Sequence, residues 1–187
     1  MQKANDGPLS MLTVTADDPR GFGRIVRSAD GGVEAIVEDV DCTPEQRLIK
    51  ELNVGMYCFQ ADWLWANLEK IEVSPKGEYY LTDIVAIARQ QGLSVRAEII
   101  PDTREAMGIN TRVHLAEAET ALRRRVNRRW MEAGVTLIDP EQTYIEAAVS
   151  IGPDTVIWPG THLRGRTVVG SGCHIGPNSL IEDSIIG

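Results

Sequence analysis

From Ile151 onward an aliphatic residue occupies every sixth position: Ile151, Ile157, Leu163, Val169, Ile175 and Ile181. A period of six matches neither a helix, at 3.6, nor a strand's period of 2 alone, but it is a multiple of two. Each hexad can therefore be one short strand that turns a corner and points one aliphatic side chain inward. Hexads of this kind stack into a parallel β-helix. A second column keeps the same register four residues later, at Thr155, Thr161, Thr167, Cys173 and Ser179. These residues are small enough to face inward near a corner. Gly152, Gly170 and Gly176 each follow an aliphatic, where a tight bend tolerates no bulk. The register runs back through Ile145 and Val149. Two columns holding register over six hexads disfavour the alternative of ordinary short strands with glycine turns.

Composition sets the outer bounds. The 187 residues are 43% hydrophobic, enough for a sizeable core in one or two domains. A net charge of −8 and a sequence pI near 4.9 argue against nucleic acid or an anionic membrane as partner. No apolar run is long enough to span a bilayer. The opening MQKANDGPLS has no apolar core, so no signal peptide is expected. Cys42, Cys58 and Cys173 form no CxxC pair and no disulfide framework, which suits a reducing cytoplasm. Cys58, within a strand pattern, and Cys173, in the inward column, read as buried small hydrophobes. His114, His162 and His174 lack metal-ligand spacing, and the two hexad histidines should face outward on different faces of the coil.

Ahead of the hexads, apolar strand patterns alternate with helical ones. SMLTVT, NVGMYCF and SVRAEIIP read as strands, and RIVRS and VEAIVE as a hairpin turning at Asp30-Gly31. Thr43, Pro44 and Gln46 make a helix start with a capping box, and Asp62 can cap a helix over WLWANLEKI. LTDIVAIARQQG predicts a helix from near Thr82 to Gly92. The expected fold is thus an α/β layer over residues 1–110. A linker helix over 111–134 and the coil of hexads over 135–187 follow. In the linker helix Leu115, Ala118, Leu122 and Val126 form an apolar stripe, and Glu119 precedes Arg123 by four. The cluster Arg123, Arg124, Arg125, Arg128 and Arg129 reads as a solvated face rather than a nucleic-acid surface.

Polar ligand-binding residues collect at strand ends in open α/β sheets. Here Glu38 ends a strand, Asn53 begins one, and Asn110 lies in a loop before the long helix. Gly23 would let a ligand approach backbone N–H groups, although GFG lacks the length and lysine of a phosphate loop.

The motifs DDPRGFGRIVR, AIVEDVD, ELNVGMYCF, GEYYLTD and MGINTR stand in this order before GVTLIDPEQTYIE and the hexads. Together they resemble the bifunctional bacterial N-acetylglucosamine-1-phosphate uridyltransferase/glucosamine-1-phosphate N-acetyltransferase family over nearly the whole chain. The resemblance implies part of a Rossmann-like nucleotidyltransferase domain, a connecting helix and the start of a left-handed parallel β-helix. It implies that UTP and N-acetylglucosamine 1-phosphate are joined to UDP-N-acetylglucosamine with Mg²⁺, and that acetyl-CoA is the co-substrate of the second activity. Carried over residue by residue, it makes Gly23, Glu38 and Asn53 contacts of the nucleotide-sugar. Tyr80 and Thr82 become walls of the sugar pocket, and Asn110 a ligand shared by product and Mg²⁺. It further implies a cytoplasmic homotrimer. The family's Gly-rich nucleotide loop, its metal-binding Asp and its acetyltransferase site find no match in these residues. With three hexads to a coil, 145–187 gives little more than two coils. The chain is therefore expected to be an internal piece of a longer polypeptide, inactive alone. Two other readings stay open: another hexose-1-phosphate nucleotidyltransferase bearing a β-helix, or a non-catalytic oligomerisation module.

Overall fold

A computed structural model describes residues 5–74 and 76–187. Residues 1–4, where the stretch read for a signal peptide begins, lie outside it, as does Pro75. The chain forms two compact units, Met1–Asn110 and Thr111–Gly187.

The first unit is built on a five-stranded sheet of order β3-β2-β4-β1-β5. Its strands are β1 (Leu9–Thr15), β2 (Arg24–Arg27), β3 (Val33–Val37), β4 (Glu51–Phe59) and β5 (Val95–Ile99). Only β1 and β5 pair in parallel; the other pairs are antiparallel. Helices α1 (Ala61–Leu68) and α2 (Ile84–Gln90) supply residues to the core on one side of the sheet. Leu9, Met11, Ile25, Ile84 and Val85 are buried there. A smaller cluster of Val14, Leu52 and Ala106, with Phe22 and Ile100 against it, forms separately.

β4 is not regular. Met11 pairs with Tyr57 but Thr13 pairs with Asn53, so β4 spends four residues where β1 spends two. The excess is a bulge at Val54–Met56, and Gly55 takes a φ of +78° that an L side chain resists. The strand's period of two places Tyr57 and Phe59 against the core. Cys58 between them is turned away and exposed, contrary to its reading as a buried residue.

Two predicted helix starts differ in detail. The capping box forms: Thr43 N–H donates to Gln46 Oε1 (2.9 Å) and Gln46 N–H to Thr43 Oγ1 (3.2 Å). It opens only a single 3₁₀ turn, Gln46–Leu48, because β4 begins at Glu51. Asp62 does not cap α1; Gln60 holds that position, and Asp62 lies in the first turn, where the helix dipole favours a carboxylate.

The second unit opens with α3 (Arg112–Glu132), capped by the Thr111 hydroxyl, which accepts from His114 N–H at 3.1 Å. Three parallel sheets follow, and the chain visits each in turn. They are β6–β9–β12 (Thr136–Leu137, Val156–Ile157, His174–Ile175), β7–β10–β13 (Thr143–Ile145, Thr161–Arg164, Leu180–Glu182) and β8–β11–β14 (Ser150–Ile151, Val168–Val169, Ile185–Ile186). The inward aliphatics are buried: Ile157 and Leu163 completely, Val169 and Ile175 nearly so. Thr155, Thr161 and Thr167 are buried beneath the corners. A Cβ on Gly152 would stand 2.5 Å from Ser171 N in the next coil, so the corner has no room for one. His162 and His174 lie on different sheets, and Cys173 is half-buried against the core.

The last turns of α3 close one end of this stack. Val126 is buried in the same apolar cluster as Leu137 and Ile145, with Trp130 packed against it. Asn127, 1% exposed, donates its amide to Pro140 O (2.7 Å) and Thr143 O (2.9 Å), meeting carbonyls of the first coil. Only the end of the apolar stripe is covered within the unit; Leu115 and Leu122 are about half exposed. Arg123 turns from Glu119 to lie over the Tyr144 ring and near Glu141, which Arg124 also pairs.

Leu163→Ala is expected to cost about 2–5 kcal/mol, the transfer term plus a cavity at a fully buried site. Ile185→Ala, at an 85% exposed position, should stay within about 0.5 kcal/mol. Denaturant unfolding of the two variants separates these outcomes.

Candidate functional site

The first unit draws four of the sequence-predicted site residues together. Gly23 precedes β2, and its carbonyl accepts from Asn53 N–H in β4 at 2.8 Å. A Cβ at Gly23 would meet Ile36 Cγ2 at 3.0 Å and Val37 O at 3.2 Å, and would come within 3.6 Å of Glu38 Oε2. Glu38 follows β3, where the chain leaves the sheet in extended conformation. Its Oε1 accepts from the Thr82 hydroxyl at 2.8 Å. Thr82, buried in the turn before α2, thus fixes one carboxylate oxygen and leaves the other available.

The bulge in β4 orients Asn53. Its Oδ1 accepts from Gly55 N–H (3.1 Å) and from the Tyr57 hydroxyl (2.9 Å). With the oxygen doubly engaged, the Asn53 amide presents its NH₂, which makes no hydrogen bond among the described residues. Glu38 Oε2 is likewise without a donor among them. The site therefore offers an anionic acceptor and a neutral donor, suited to a ligand with hydroxyls and a carbonyl.

Tyr57 was not anticipated from the sequence. Burial pushes its phenol up to about 12; the hydrogen bond to Asn53 opposes that shift and the Glu38 charge adds to it. The signal for it was Gly55, since a glycine inside a strand pattern marks a bulge. Arg24 and Asp39 also escaped notice. Arg24 is 2% exposed and pairs with Asp39 at 2.8 Å.

The other two predicted residues are Asn110 and Tyr80. Asn110 is exposed and donates its amide to Arg20 O at 2.9 Å, beside Gly21. Tyr80 directly precedes the turn Leu81–Asp83 that holds Thr82, while Lys76 pairs with Asp41 at 2.7 Å. Among the described residues no three His, Cys, Asp or Glu side chains gather as a metal site. Asn110 offers at most one neutral oxygen, whereas Mg²⁺ is ordinarily held by carboxylates, phosphates and water. These residues alone do not make a Mg²⁺ site. Among the described residues no helix is long and apolar enough to cross a membrane.

The chain is thus a mixed α/β unit followed by stacked hexads. Residues 148–183 match the bacterial transferase hexapeptide family model, described as six repeats. The chain is similar to curated proteins named bifunctional protein GlmU. That of Heliobacterium modesticaldum is 50% identical over 179 residues, covering 95% of this chain and 39% of its own length. That of Geobacillus sp. is 49% identical over 185 residues, covering 98% and 40%. That of Caldanaerobacter subterraneus is 47% identical over 188 residues, covering 100% and 40%. The resemblance to the bifunctional family read from the sequence is shown by these relatives. The chain spans about two fifths of the length of the relatives it matches.

A Tyr57 phenol held near 12 stays protonated in the folded chain while the unfolded chain ionises near 10. Its contribution is present in full below pH 10 and is lost as pH rises toward 12. The stability gap between wild type and Tyr57→Phe should therefore change between pH 10 and 12 and stay flat from pH 7 to 9. Denaturant melts across that range check the expectation.

Proposed function

We propose that residues 1–110 form part of a Rossmann-like sugar-1-phosphate nucleotidyltransferase domain, and that Gly23, Glu38, Asn53 and Thr82 form its sugar site. The reaction is the joining of N-acetylglucosamine 1-phosphate to UTP, which yields UDP-N-acetylglucosamine and pyrophosphate. The observation that carries this reading is the pairing of a free Glu38 oxygen with a free Asn53 NH₂ across Gly23. The carboxylate accepts from a sugar hydroxyl or the acetamido N–H, and the amide donates to the acetamido carbonyl. The tight packing around Gly23 leaves no room for a side chain between it and Ile36, Val37 and Glu38. Thr82 and Tyr57 hold the two polar side chains in these orientations, so little ordering remains to be done on binding. Tyr80 belongs to the pocket wall.

In this reading Asn110 is an oxygen donor to product and Mg²⁺, with the remaining metal ligands supplied by phosphates, water or protein outside these residues. Bound there, the metal would neutralise charge on the transferring phosphoryl group. The second unit is the start of a left-handed parallel β-helix, and in the whole protein it belongs to an acetyltransferase that takes acetyl-CoA. The whole protein is a bifunctional, cytoplasmic homotrimer that supplies peptidoglycan and lipopolysaccharide precursors. No residue of this chain is assigned to the acetyl-CoA site.

The test uses the natural polypeptide that contains these residues. Glu38→Ala should raise KM for N-acetylglucosamine 1-phosphate by roughly ten- to a hundredfold, the loss of a hydrogen bond to a charged group. Its KM for UTP should change little. Asn110→Ala should instead lower kcat, with a smaller effect on the sugar KM. Steady-state kinetics with both substrates varied give these constants. Wild-type values in both variants would remove the assignment.

A further inference from the structure

We infer that Arg24 is a positioning residue for the candidate sugar site, its guanidinium tying the backbone of Gly23 to the turn that carries Glu38. The inference rests on the nucleotidyltransferase reading of that site and adds to it a residue that would touch no substrate.

The need for such a tie is visible in the sheet. β2 and β3 pair from Arg27 and Val33 to Arg24 and Val37, and the ladder ends there. Gly23 and Glu38 both lie one residue past that last pair. Glu38 is extended, and the chain then turns at Asp39–Asp41 with Asp41 N–H donating to Glu38 O at 2.9 Å. The turn is closed upon itself, and the ladder does not fix it to β2. Arg24 does. One terminal nitrogen donates to Phe22 O, on the far side of Gly23, and the other to Asp39 Oδ1 at 2.8 Å, next to Glu38. The fork of one guanidinium thus spans the residues that flank both ligand contacts.

The environment makes this a costly choice. Arg24 is 2% exposed, and its Nε is buried without a partner among the described residues. Asp39, its counter-ion, is 30% exposed. Taking a guanidinium out of water for a single half-solvated carboxylate yields little net stability, and an apolar side chain would fill the space more cheaply. What an apolar residue cannot do is hold two acceptors at a fixed separation. A lysine cannot do it either, since its ammonium is a point donor without the planar fork. Thr82 fixes one oxygen of Glu38. Arg24 therefore sets where the turn stands, and Thr82 sets how the carboxylate is rotated.

The test compares Arg24→Lys and Asp39→Asn with Glu38→Ala in the natural polypeptide, with near-ultraviolet circular dichroism as the check on folding. Both tie variants should raise KM for N-acetylglucosamine 1-phosphate by about ten- to a hundredfold, the scale of a displaced contact. Their KM for UTP should be nearly unchanged. A role confined to stability would lower the melting temperature and leave the sugar KM of the folded enzyme alone; that result overturns the inference. Asp39→Asn alters a partly exposed residue and removes the charge that pairs with the guanidinium, so it decides the matter should Arg24→Lys fail to fold. A raised sugar KM in Glu38→Ala with unchanged values in folded tie variants rejects Arg24 alone. An unchanged sugar KM in Glu38→Ala rejects the underlying site assignment, and the inference falls with it.

Discussion

A β-strand leaves a row of donors and acceptors along each edge, and burying such a row unpaired costs free energy comparable to the hydrogen bonds forgone. Both units are organised by where these rows are met. In the first, β4 lies between β2 and β1, and at the start of β4 the Asn53 N–H to Gly23 O bond extends the β2–β4 pairing by one step. That step brings the backbone of one candidate ligand contact against that of another. In the second, each coil is the partner of the coils beside it, and the carbonyls left over at the first coil are met by the Asn127 amide. The long helix is thus part of the stack's construction as much as a connection to it.

The chemistry of the candidate site follows from irregularity. A regular β4 would send Asn53 and Tyr57 to the same face two pairs apart. The bulge lets the Tyr57 hydroxyl reach back to Asn53 Oδ1 and settles which end of the amide is offered. Glu38 owes its position to the end of the β2–β3 ladder, where the chain departs from the sheet. Each of the two polar groups sits where regular pairing fails and accepts from a hydroxyl, that of the half-buried Tyr57 or of the buried Thr82. This is how a weakly directional sheet end becomes a pair of groups with defined polarity.

Legibility in the sequence tracked the range of the interactions. The hexads were readable because a periodic column needs no knowledge of distant partners, and the buried residues Ile157, Leu163 and Val169 fell on it. The capping box at Thr43 and Gln46 was readable for the same reason, being closed within four residues. The length of the helix it opened was not, because the competing claim of β4 arises from pairing with β1, far off in sequence. Cys58 was misassigned through treating an apolar run as buried on both faces. Glu38, Asn53 and Gly23 drew attention as polar or glycine residues at strand ends. Arg24 did not, because its role depends on a contact 15 residues away that no local pattern encodes, and Tyr57 did not, because it depends on the bulge at Gly55.

The coils do not all have the same length. Thr136 pairs with Val156, 20 residues on; Thr143 with Thr161, 18 on; Val168 with Ile185, 17 on. The longer step takes in the turn at Pro140–Gln142, and the shorter one brings Ile186 opposite Val169 in place of Gly187. The ladders stay parallel through both changes, because a corner can gain or lose residues without altering which strand lies above which. A stack of this kind separates what must be kept from what can vary. Its faces hold a strict spacing, while its corners absorb insertions and deletions one coil at a time, so new loops can be added at an edge without refolding the rest.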